Sequence, residues 1–414
     1  MGPLPRGVRQ TREEINVATD RRLFLKAGVL AIPSRFAFAA PAENKVRIGI
    51  AGGGFGSDFH FHEHPNCVVE AVTDLRPERR NRLMQMYHCS KSYESLEKML
   101  LDGNVDAVFC ATPAPMHLEH VTKVLKAGKH VMSAVPAVVG TLDDCQKLLD
   151  VVKASGKNYM MAETSYYHQG VITARRFHQE QKFGRIFSAE AEYHHPGLES
   201  LYFDEAGRRT WRYGLAPMHY PTHCTAMLAG VTGERLTQVS CIGWGDDDPI
   251  LKDNAYGNPF WGETALFNTD RGTAFRVQVY WRGAVCGTER GQWIGTRMSM
   301  FLPHPNGLGP VIVRETTTNE KDTGGFVRRA QELENYKQPR WWETSMLPGK
   351  MRHDSGHEGS HTFLAHEFIQ SIVENRRPAV DVNEAVAYTA PGIVAHNSAL
   401  RGGESLKIPQ FARV

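Results

Sequence analysis

The 414-residue sequence lacks the features that mark several broad classes of protein. It has no run of 18 apolar residues, which excludes a bundle of membrane-spanning helices. Its formal net charge is only +3, too small a basic excess for a nucleic-acid-binding protein. With 41% apolar and 22% charged residues it is neither disordered nor repetitive. We therefore expect a globular protein of two domains whose partner is neither nucleic acid nor membrane.

Closely spaced cysteines are also missing. The seven cysteines lie far apart and none forms a C-x-x-C pair, which argues against a thiol redox motif. Their odd number and the length of the chain favour buried free thiols over a disulfide framework.

The first 40 residues differ from the rest in charge and pattern. Residues 1–39 contain seven basic and three acidic side chains, and Arg21 and Arg22 precede a modest apolar stretch that ends in Ala-Phe-Ala at 37–39. This arrangement resembles a twin-arginine export signal with a small-x-small cleavage site. It predicts a signal peptide over residues 1–40 and an extracytoplasmic, periplasmic location for the folded protein.

Short apolar segments alternate with helical segments over the next 120 residues. Strands are predicted at 46–51, 68–73, 107–111, 130–133 and 159–162, with helices at 77–87, 116–126 and 142–154. This alternation is typical of an α/β domain in which helices cover both faces of a parallel sheet.

A glycine-rich turn directly after the first strand carries the most specific pattern. Gly52 and Gly54 let the backbone approach a pyrophosphate, and a third small residue, Ser57, follows where a helix would begin. Asp74 ends the second strand, 22 residues after Gly52, where a carboxylate binds the 2′-hydroxyl of a ribose. The pattern predicts a Rossmann domain that binds NAD rather than NADP.

Beyond residue 165 the pattern changes to strands with few helices between them. They are predicted at 186–193, 239–244, 264–267, 273–281 and 297–301, and a helix follows at 362–374. We expect an α+β domain with a large, open, mostly antiparallel sheet. The segment 302–356 shows no assignable pattern.

Two histidine-rich runs have the composition of metal sites, but the sequence predicts a metal at neither. In the run 60–64 only His60 and His64 would share one face of a helix. The pair His357 and His361 fits the H-E-x-x-H spacing, but Gly359 interrupts the helix that this motif requires.

Several motifs taken together resemble the Gfo/Idh/MocA family of NAD(P)-dependent sugar oxidoreductases over residues 45–412. The motifs are Gly52-x-Gly54-x-x-Ser57, Asp74, Thr112-Pro113-x-x-x-His117, Gly128-Lys129-His130 and His223. A closer, partial likeness to the NAD-dependent glycosidases of glycoside hydrolase family 109 rests on Glu163, Tyr167, Tyr220-Pro221-Thr222-His223 and Gly356-His357. The resemblance implies a dinucleotide-binding Rossmann domain at 45–163, a substrate-binding and oligomerisation domain at 164–414, and a homo-oligomer, either a dimer or a tetramer.

The resemblance also implies roles for individual residues. His223 matches the active-site histidine of the family, and Tyr167 and His219 are further catalytic candidates. The residues expected to bind NAD are Gly52, Gly54, Phe55, Ser57, Asp74, Thr112, Pro113, His117 and Pro136. The residues expected to bind a small carbohydrate are Tyr166, Trp211, Arg212, His357 and His361.

One position departs from the family pattern. The family has Glu-Lys-Pro where this chain has Ala134, Val135 and Pro136, and valine can neither donate nor accept a proton. The usual acid/base lysine is therefore missing, and another group must replace it if the protein is an enzyme.

Three functions follow from these observations. The first is a dehydrogenase acting on a secondary hydroxyl of a sugar, with hydride transfer to tightly bound NAD and His223 taking the proton. The second is a redox-neutral glycosidase, which oxidises C3, eliminates the C1 substituent, adds water and reduces C3 again. The third is a non-catalytic sugar or nucleotide binder. Export favours a retained cofactor, because little free NAD is available outside the cytoplasm, so a sugar–sugar oxidoreductase also fits.

Overall fold

Two β-sheets organise the chain in the computed structural model, which describes residues 45–321 and 323–414. The predicted signal peptide at 1–40 lies outside these residues. None of the helices in the described part of the chain has the length and apolar character needed to cross a bilayer.

The first sheet has six parallel strands in the order β3-β2-β1-β4-β5-β6. Its strands are β1 (Val46–Ala51), β2 (Cys67–Thr73), β3 (Ser92–Tyr93), β4 (Ala107–Cys110), β5 (His130–Ser133) and β6 (Tyr159–Met161). The helices around it are α1 (Pro77–Tyr87), α2 (Leu96–Leu100), α3 (His117–Lys126) and α4 (Leu142–Ser155). The strand order reverses between β1 and β4, which is where such sheets bind a dinucleotide.

The second sheet has nine strands in the order β14-β13-β12-β11-β7-β10-β9-β8-β15. Its strands are β7 (Ile186–His194), β8 (Leu236–Trp244), β9 (Gly262–Thr269), β10 (Ala274–Tyr280), β11 (Thr288–Gly295), β12 (Met298–Phe301), β13 (Val311–Lys321), β14 (Val327–Asn335) and β15 (Leu406–Lys407). Every pairing is antiparallel except that of β7 with β10. The fold class predicted from the sequence is thereby confirmed.

Helices cover one face of the second sheet and leave the other face open. The helices after β6 are α5 (Gln169–Gln179), α6 (Thr222–Thr232), α7 (Pro249–Lys252), α8 (Ser360–Val373) and α9 (Val382–Leu400). Of these, α6 and α9 pack directly on strands of the second sheet, whereas α8 contacts β1 of the first sheet. On the open face, Ile242, Trp244 and Leu266 expose 60%, 58% and 58% of their surface. Large apolar residues exposed together in this way mark an interaction surface.

Most of the predicted elements of the first sheet lie within two residues of the observed ones. The helix predicted at 116–126 begins at His117, after one 3-10 turn over Ala114–Met116. The unassigned segment 302–356 contains the β13–β14 hairpin and two further 3-10 turns.

Candidate active site

A cleft of about 560 Å³ opens where β1, β2 and β4 end and faces residues of the second sheet. A cleft of this size accommodates a cofactor or a small ligand. It brings together ten of the residues predicted from the sequence, namely Gly52, Gly54, Phe55, Asp74, Thr112, Pro113, Trp211, Arg212, His223 and His357.

The glycine-rich turn forms one wall of the cleft and requires glycine at its first position. Gly52 has φ +106°, and a Cβ there would lie 2.3 Å from the carbonyl oxygen of Ala111. A Cβ on Gly54 would instead point into open space, with the guanidinium of Arg79 as its nearest neighbour at 3.9 Å. The backbone at Gly54 therefore leaves room for a phosphate, and the turn fits a dinucleotide.

Asp74 closes the adjacent wall and holds the glycine-rich turn in place. Its Oδ2 accepts a hydrogen bond of 2.7 Å from the backbone N–H of Gly53, and its Oδ1 accepts one of 2.8 Å from that of Arg76. The Arg76 side chain lies 3.4 Å from the carboxylate of Asp204. These contacts leave lone pairs on the Asp74 carboxylate that can accept a hydrogen bond from a ribose hydroxyl. The arginine that could bind the 2′-phosphate of NADP is paired with an acid, so the arrangement suits NAD.

Replacing Asp74 with alanine is expected to weaken NAD binding by about 10- to 100-fold, because charged hydrogen bonds contribute roughly 1.5–3 kcal/mol. The dissociation constant should be measured calorimetrically on protein stripped of nucleotide. Asp74→Asn keeps one accepting oxygen and should lose less affinity than Asp74→Ala. Equal affinity in all three proteins would exclude a ribose contact at this position.

Ser57, His117 and Pro136, which the sequence predicts to bind the cofactor, instead stabilise the loops that form the cleft. The Ser57 hydroxyl donates a 2.8 Å hydrogen bond to the Gly54 carbonyl. The buried ring of His117 places Nδ1 2.7 Å from the Pro136 carbonyl and Nε2 2.9 Å from the Thr112 carbonyl. His117 therefore ties together the two segments that follow β4 and β5, and it acts on the cofactor site through them.

His223 is a positively charged group at the substrate end of the cleft. It lies in the first turn of α6, with Nδ1 2.8 Å from Oε1 of the buried Glu163 and 3.5 Å from Oε1 of Glu289. Burial lowers the pKa of His223, but the carboxylates of Glu163 and Glu289 outweigh it and raise the pKa to about 9. The free protein thus holds an imidazolium whose Nε2 remains for a ligand in the cleft.

Two tyrosines flank this histidine. The ring centroids of Tyr193, in β7, and Tyr220, just before α6, lie 4.6 Å and 5.3 Å from that of His223, and both residues line the cleft. Burial raises the pKa of Tyr220 to about 12 and holds that of Tyr193 well above its usual value, while the Arg212 guanidinium opposes both shifts. The Arg212 side chain itself stacks on Trp211 at 4.2 Å.

A chain of hydrogen bonds fixes the proton positions on His357. Nδ1 of His361 lies 3.0 Å from the Asp58 carbonyl, which can only accept, so this nitrogen carries a proton. Burial lowers the pKa of His361 to about 3 and also lowers that of His357, so both rings are neutral. Nε2 of His361 then accepts a 2.8 Å hydrogen bond from Nδ1 of His357. His357 is left with a bare Nε2, which can accept a proton or a hydrogen bond at the cleft.

Three predicted site residues lie elsewhere in the core. The Tyr167 ring is buried and stacks on Phe363 at 5.4 Å, while Tyr166 packs under the Arg175 guanidinium at 3.9 Å. His219 is half-buried beside the buried His396, with ring centroids 4.7 Å apart. Their spacing of four residues would put His219 and His223 on one face of a continuous helix, but α6 begins only at Thr222, so the two do not share a helix face.

Residues that sequence reasoning did not select complete the site. Glu163 follows β6, Tyr193 lies near the end of β7, and Glu289 lies at the start of β11. Glu163 and Tyr220 already stood inside recognised motifs, so they could have been chosen. Glu289 stood in no motif, and only the pairing of β11 with β7 brings it to His223.

Comparisons with known proteins agree with the fold and the cleft. Residues 46–163 match the oxidoreductase family with an NAD-binding Rossmann fold, and residues 306–414 match the C-terminal domain of glycosyl hydrolase 109. A glycosyl hydrolase family 109 protein of Streptomyces coelicolor is 24% identical over 91% of this chain and 84% of its own. An alpha-N-acetylgalactosaminidase of Tannerella forsythia is 24% identical over 77% of this chain and 73% of its own.

Solved structures share the same architecture. Levoglucosan dehydrogenase in complex with NADH and levoglucosan superimposes with a TM-score of 0.71 at 17% identity, over 89% of this chain and all of that one. The scyllo-inositol dehydrogenase of Lactobacillus casei with NAD(H) and scyllo-inositol gives a TM-score of 0.64 at 16% identity, over 88% of this chain and 99% of that one. At such identities the likeness concerns the fold.

The fold and the cleft define an NAD-binding oxidoreductase of the Rossmann type. The N-terminal part of the chain is a Gfo/Idh/MocA Rossmann domain, and its C-terminal part is a glycosyl hydrolase 109 domain. The resemblance predicted from the sequence, including the partial likeness to family 109, is confirmed, and so is NAD as the cofactor.

Proposed function

We propose that this protein is a glycosidase that uses tightly bound NAD to oxidise and re-reduce the same sugar within one catalytic cycle. The family 109 domain at 306–414 and the relatives named for that family support the proposal. The T. forsythia relative makes an N-acetylgalactosaminide the first glycoside to test.

The observation that carries the proposal is the set of proton-transfer groups in the cleft. Hydride transfer from an alcohol needs one base, but here His223, Tyr193 and Tyr220 meet in one region, and His357 presents a lone pair nearby. Val135 also lines the cleft at the position where the family's dehydrogenases carry lysine. A reaction that removes protons from both an oxygen and a carbon of the substrate requires at least two such groups.

Each residue then has a defined task. When bound, NAD supplies an acceptor for hydride from C3 of the sugar and later a donor of that hydride. Neutral His223 takes the proton of the C3 hydroxyl, and Glu163 and Glu289 stabilise the resulting imidazolium. The ketone acidifies C2–H, and Tyr193 or Tyr220 removes this proton as the C1–O bond breaks. Water then adds its hydroxyl to C1 and gives up a proton to the departed aglycone oxygen, and the tyrosine returns its proton to C2. The imidazolium of His223 finally returns its proton to the C3 oxygen.

The positive charge of Arg212 favours removal of the C2 proton by Tyr193 or Tyr220. Its guanidinium lowers the pKa of both Tyr193 and Tyr220 against the effect of burial. Without this guanidinium the pKa of each phenol would lie higher still, so Arg212 makes the phenolate that acts as the base more accessible than burial alone would allow.

The purified protein should be incubated with nitrophenyl glycosides, including the α-N-acetylgalactosaminide, while aglycone release and NADH absorbance are followed together. Bound nucleotide is then identified by mass after denaturation. The proposal predicts aglycone release with bound NAD and no net NADH. Net NADH without aglycone would instead establish the second candidate, a sugar dehydrogenase, which the fold shared with levoglucosan and inositol dehydrogenases favours.

We infer further that the protein is exported through the twin-arginine pathway and works in the periplasm. The basic N-terminus with Arg21 and Arg22 supports this, and a cofactor retained through the cycle suits a compartment with little free NAD. Replacing both arginines with lysine should block export in cells, as judged by fractionation.

The open face of the second sheet supports assembly into a homo-oligomer. Ile242, Trp244 and Leu266 expose apolar surface there, next to the ion pair between Arg276 and Glu190. We expect sedimentation to show a dimer or a tetramer, and Trp244→Glu should shift it towards monomer without loss of NAD binding. A monomeric wild-type protein at micromolar concentration would contradict this assignment.

A further inference from the structure

We propose that His60, Glu63 and His353 form a site for a divalent transition metal, with zinc as the best fit, distinct from the cleft and independent of the proposed glycosidase activity. The three side chains can place one ligand atom each within 4.8 Å of the others. Glu63 already contacts both histidines, with Oε1 3.1 Å from Nδ1 of His60 and Oε2 2.6 Å from Nε2 of His353.

The local backbone explains why these residues meet. His60 adopts left-handed φ +54°, and a 3-10 turn follows over Phe61–Glu63. Such a turn has three residues per turn, so side chains three positions apart eclipse. His60 therefore faces Glu63, whereas the α-helical spacing considered for the sequence would have paired it with His64. His64 instead contacts His366, with Nε2 to Nδ1 at 2.9 Å.

The hydrogen bonding of His353 orients one nitrogen for a metal. Its Nδ1 lies 3.1 Å from the Asp354 carbonyl, which can only accept, so Nδ1 carries a proton. Nε2 must then be either protonated against Glu63 or bare and bound to a cation. A backbone carbonyl that fixes the second nitrogen is the usual support of a metal-binding histidine. A divalent ion can thus replace the proton that Nε2 holds in its absence.

The donor set and the exposure suit zinc. Two imidazole nitrogens and one carboxylate oxygen are ligands of this ion, and a fourth position can be taken by water. The side chains of His60, Glu63 and His353 are 23%, 22% and 35% exposed, which leaves room for that water and for entry of the ion. Nε2 of His62 lies 3.9 Å from Glu63 Oε1 and is an alternative fourth ligand.

A bound ion at this place would connect distant parts of the chain. His60 and Glu63 follow the glycine-rich turn, while His353 lies 290 residues later in the loop before α8. The metal would cross-link the segment after the glycine-rich turn to the loop before α8, and none of its three ligands lines the cleft. Glu163, His223 and Glu289 also bring three such ligand atoms close together, but the imidazole of this group is positively charged, which opposes binding of a cation there.

The test uses full-length NAD-bound protein freed of metal by a chelator and titrated with Co²⁺ and then Zn²⁺. We expect one equivalent of Co²⁺ with the intense visible absorption of a four-coordinate ion, displaced by Zn²⁺. Glu63→Gln and His353→Ala should each weaken binding by about 100-fold or more, since even supporting residues contribute 10- to 100-fold. Zinc should raise the Tm of wild-type protein, and of neither variant, by about 2 °C or more.

Two matched controls make the result specific. His88→Asn removes an exposed neighbouring histidine, whose ring lies 5.8 Å from that of His62, and should bind metal normally. Glu289→Gln tests the cluster in the cleft and should also bind normally. Absence of binding to wild-type protein, binding unchanged by Glu63→Gln and His353→Ala, or binding abolished by Glu289→Gln would each overturn the proposal. If Glu63→Gln fails to fold, the metal affinity of His353→Ala alone tests whether these residues bind the ion.

Discussion

Replacing His223 with alanine is expected to lower the turnover number by about 10²- to 10⁴-fold, the range for loss of a general acid–base group. The reason is geometric, because the His223 ring lines the cleft and its Nδ1 is held by Glu163. NAD should stay bound, since the glycine-rich turn and Asp74 are untouched. Steady-state kinetics and mass analysis of released nucleotide measure the two effects separately.

His219→Asn is the matched control for this substitution. His219 is a half-buried histidine that packs against His396 outside the cleft. We expect lower stability with turnover within about twofold of wild type, because core substitutions act mainly on the free energy of unfolding. Equal loss of turnover in both variants would mean that His223 acts through the fold and not in the reaction.

The pKa of His223 adds a pH dependence to the same prediction. The group must be neutral to accept a proton, and its pKa in the free protein is raised to about 9. Activity should therefore increase with pH up to that region, with an apparent pKa below 9 once the cationic nicotinamide is bound. Glu289→Gln removes one of the charges that raise the pKa, so it should move this limb of the profile to lower pH.

The α/β half of the fold could be predicted because local patterns determine it. The apolar segment of β1 ends at the glycine-rich turn, and α4 carries its buried residues on one face. The β13–β14 hairpin could not be predicted, because its strands are largely exposed and carry charged rather than alternating side chains. The helix α9 contains Pro391, which argues against a helix on local grounds and is tolerated here within tertiary packing.

The candidate site likewise contains residues that local sequence identifies and residues that only tertiary contacts bring together. Asp74 and the glycines are adjacent to their strands in the sequence, so spacing alone identifies them. Glu289 meets His223 through strand pairing, and His357 obtains its proton position from His361 and the Asp58 carbonyl. Such relations depend on residues far apart in the chain, so only the folded structure reveals them.

Tyr193→Phe is expected to separate the two halves of the proposed reaction. The variant keeps the ring that packs at 4.6 Å from His223, so the oxidation at C3 should survive. It loses the hydroxyl that can take the C2 proton, so aglycone release should fall by about 10²-fold or more. In a single turnover, NADH absorbance should then accumulate, whereas wild-type protein returns to its starting absorbance.

Tyr220→Phe provides the comparison, because its ring lies 5.3 Å from His223 and its phenol is influenced by the same Arg212. If Tyr193 is the base, Tyr220→Phe should retain most aglycone release and show no build-up of NADH. The reverse pattern would assign the base to Tyr220 and leave the mechanism intact. Loss of both oxidation and aglycone release in each variant would instead show that the tyrosines bind the sugar. Proton removal from C2 would then require another group, for which His357, with its bare Nε2, is the remaining candidate in the cleft.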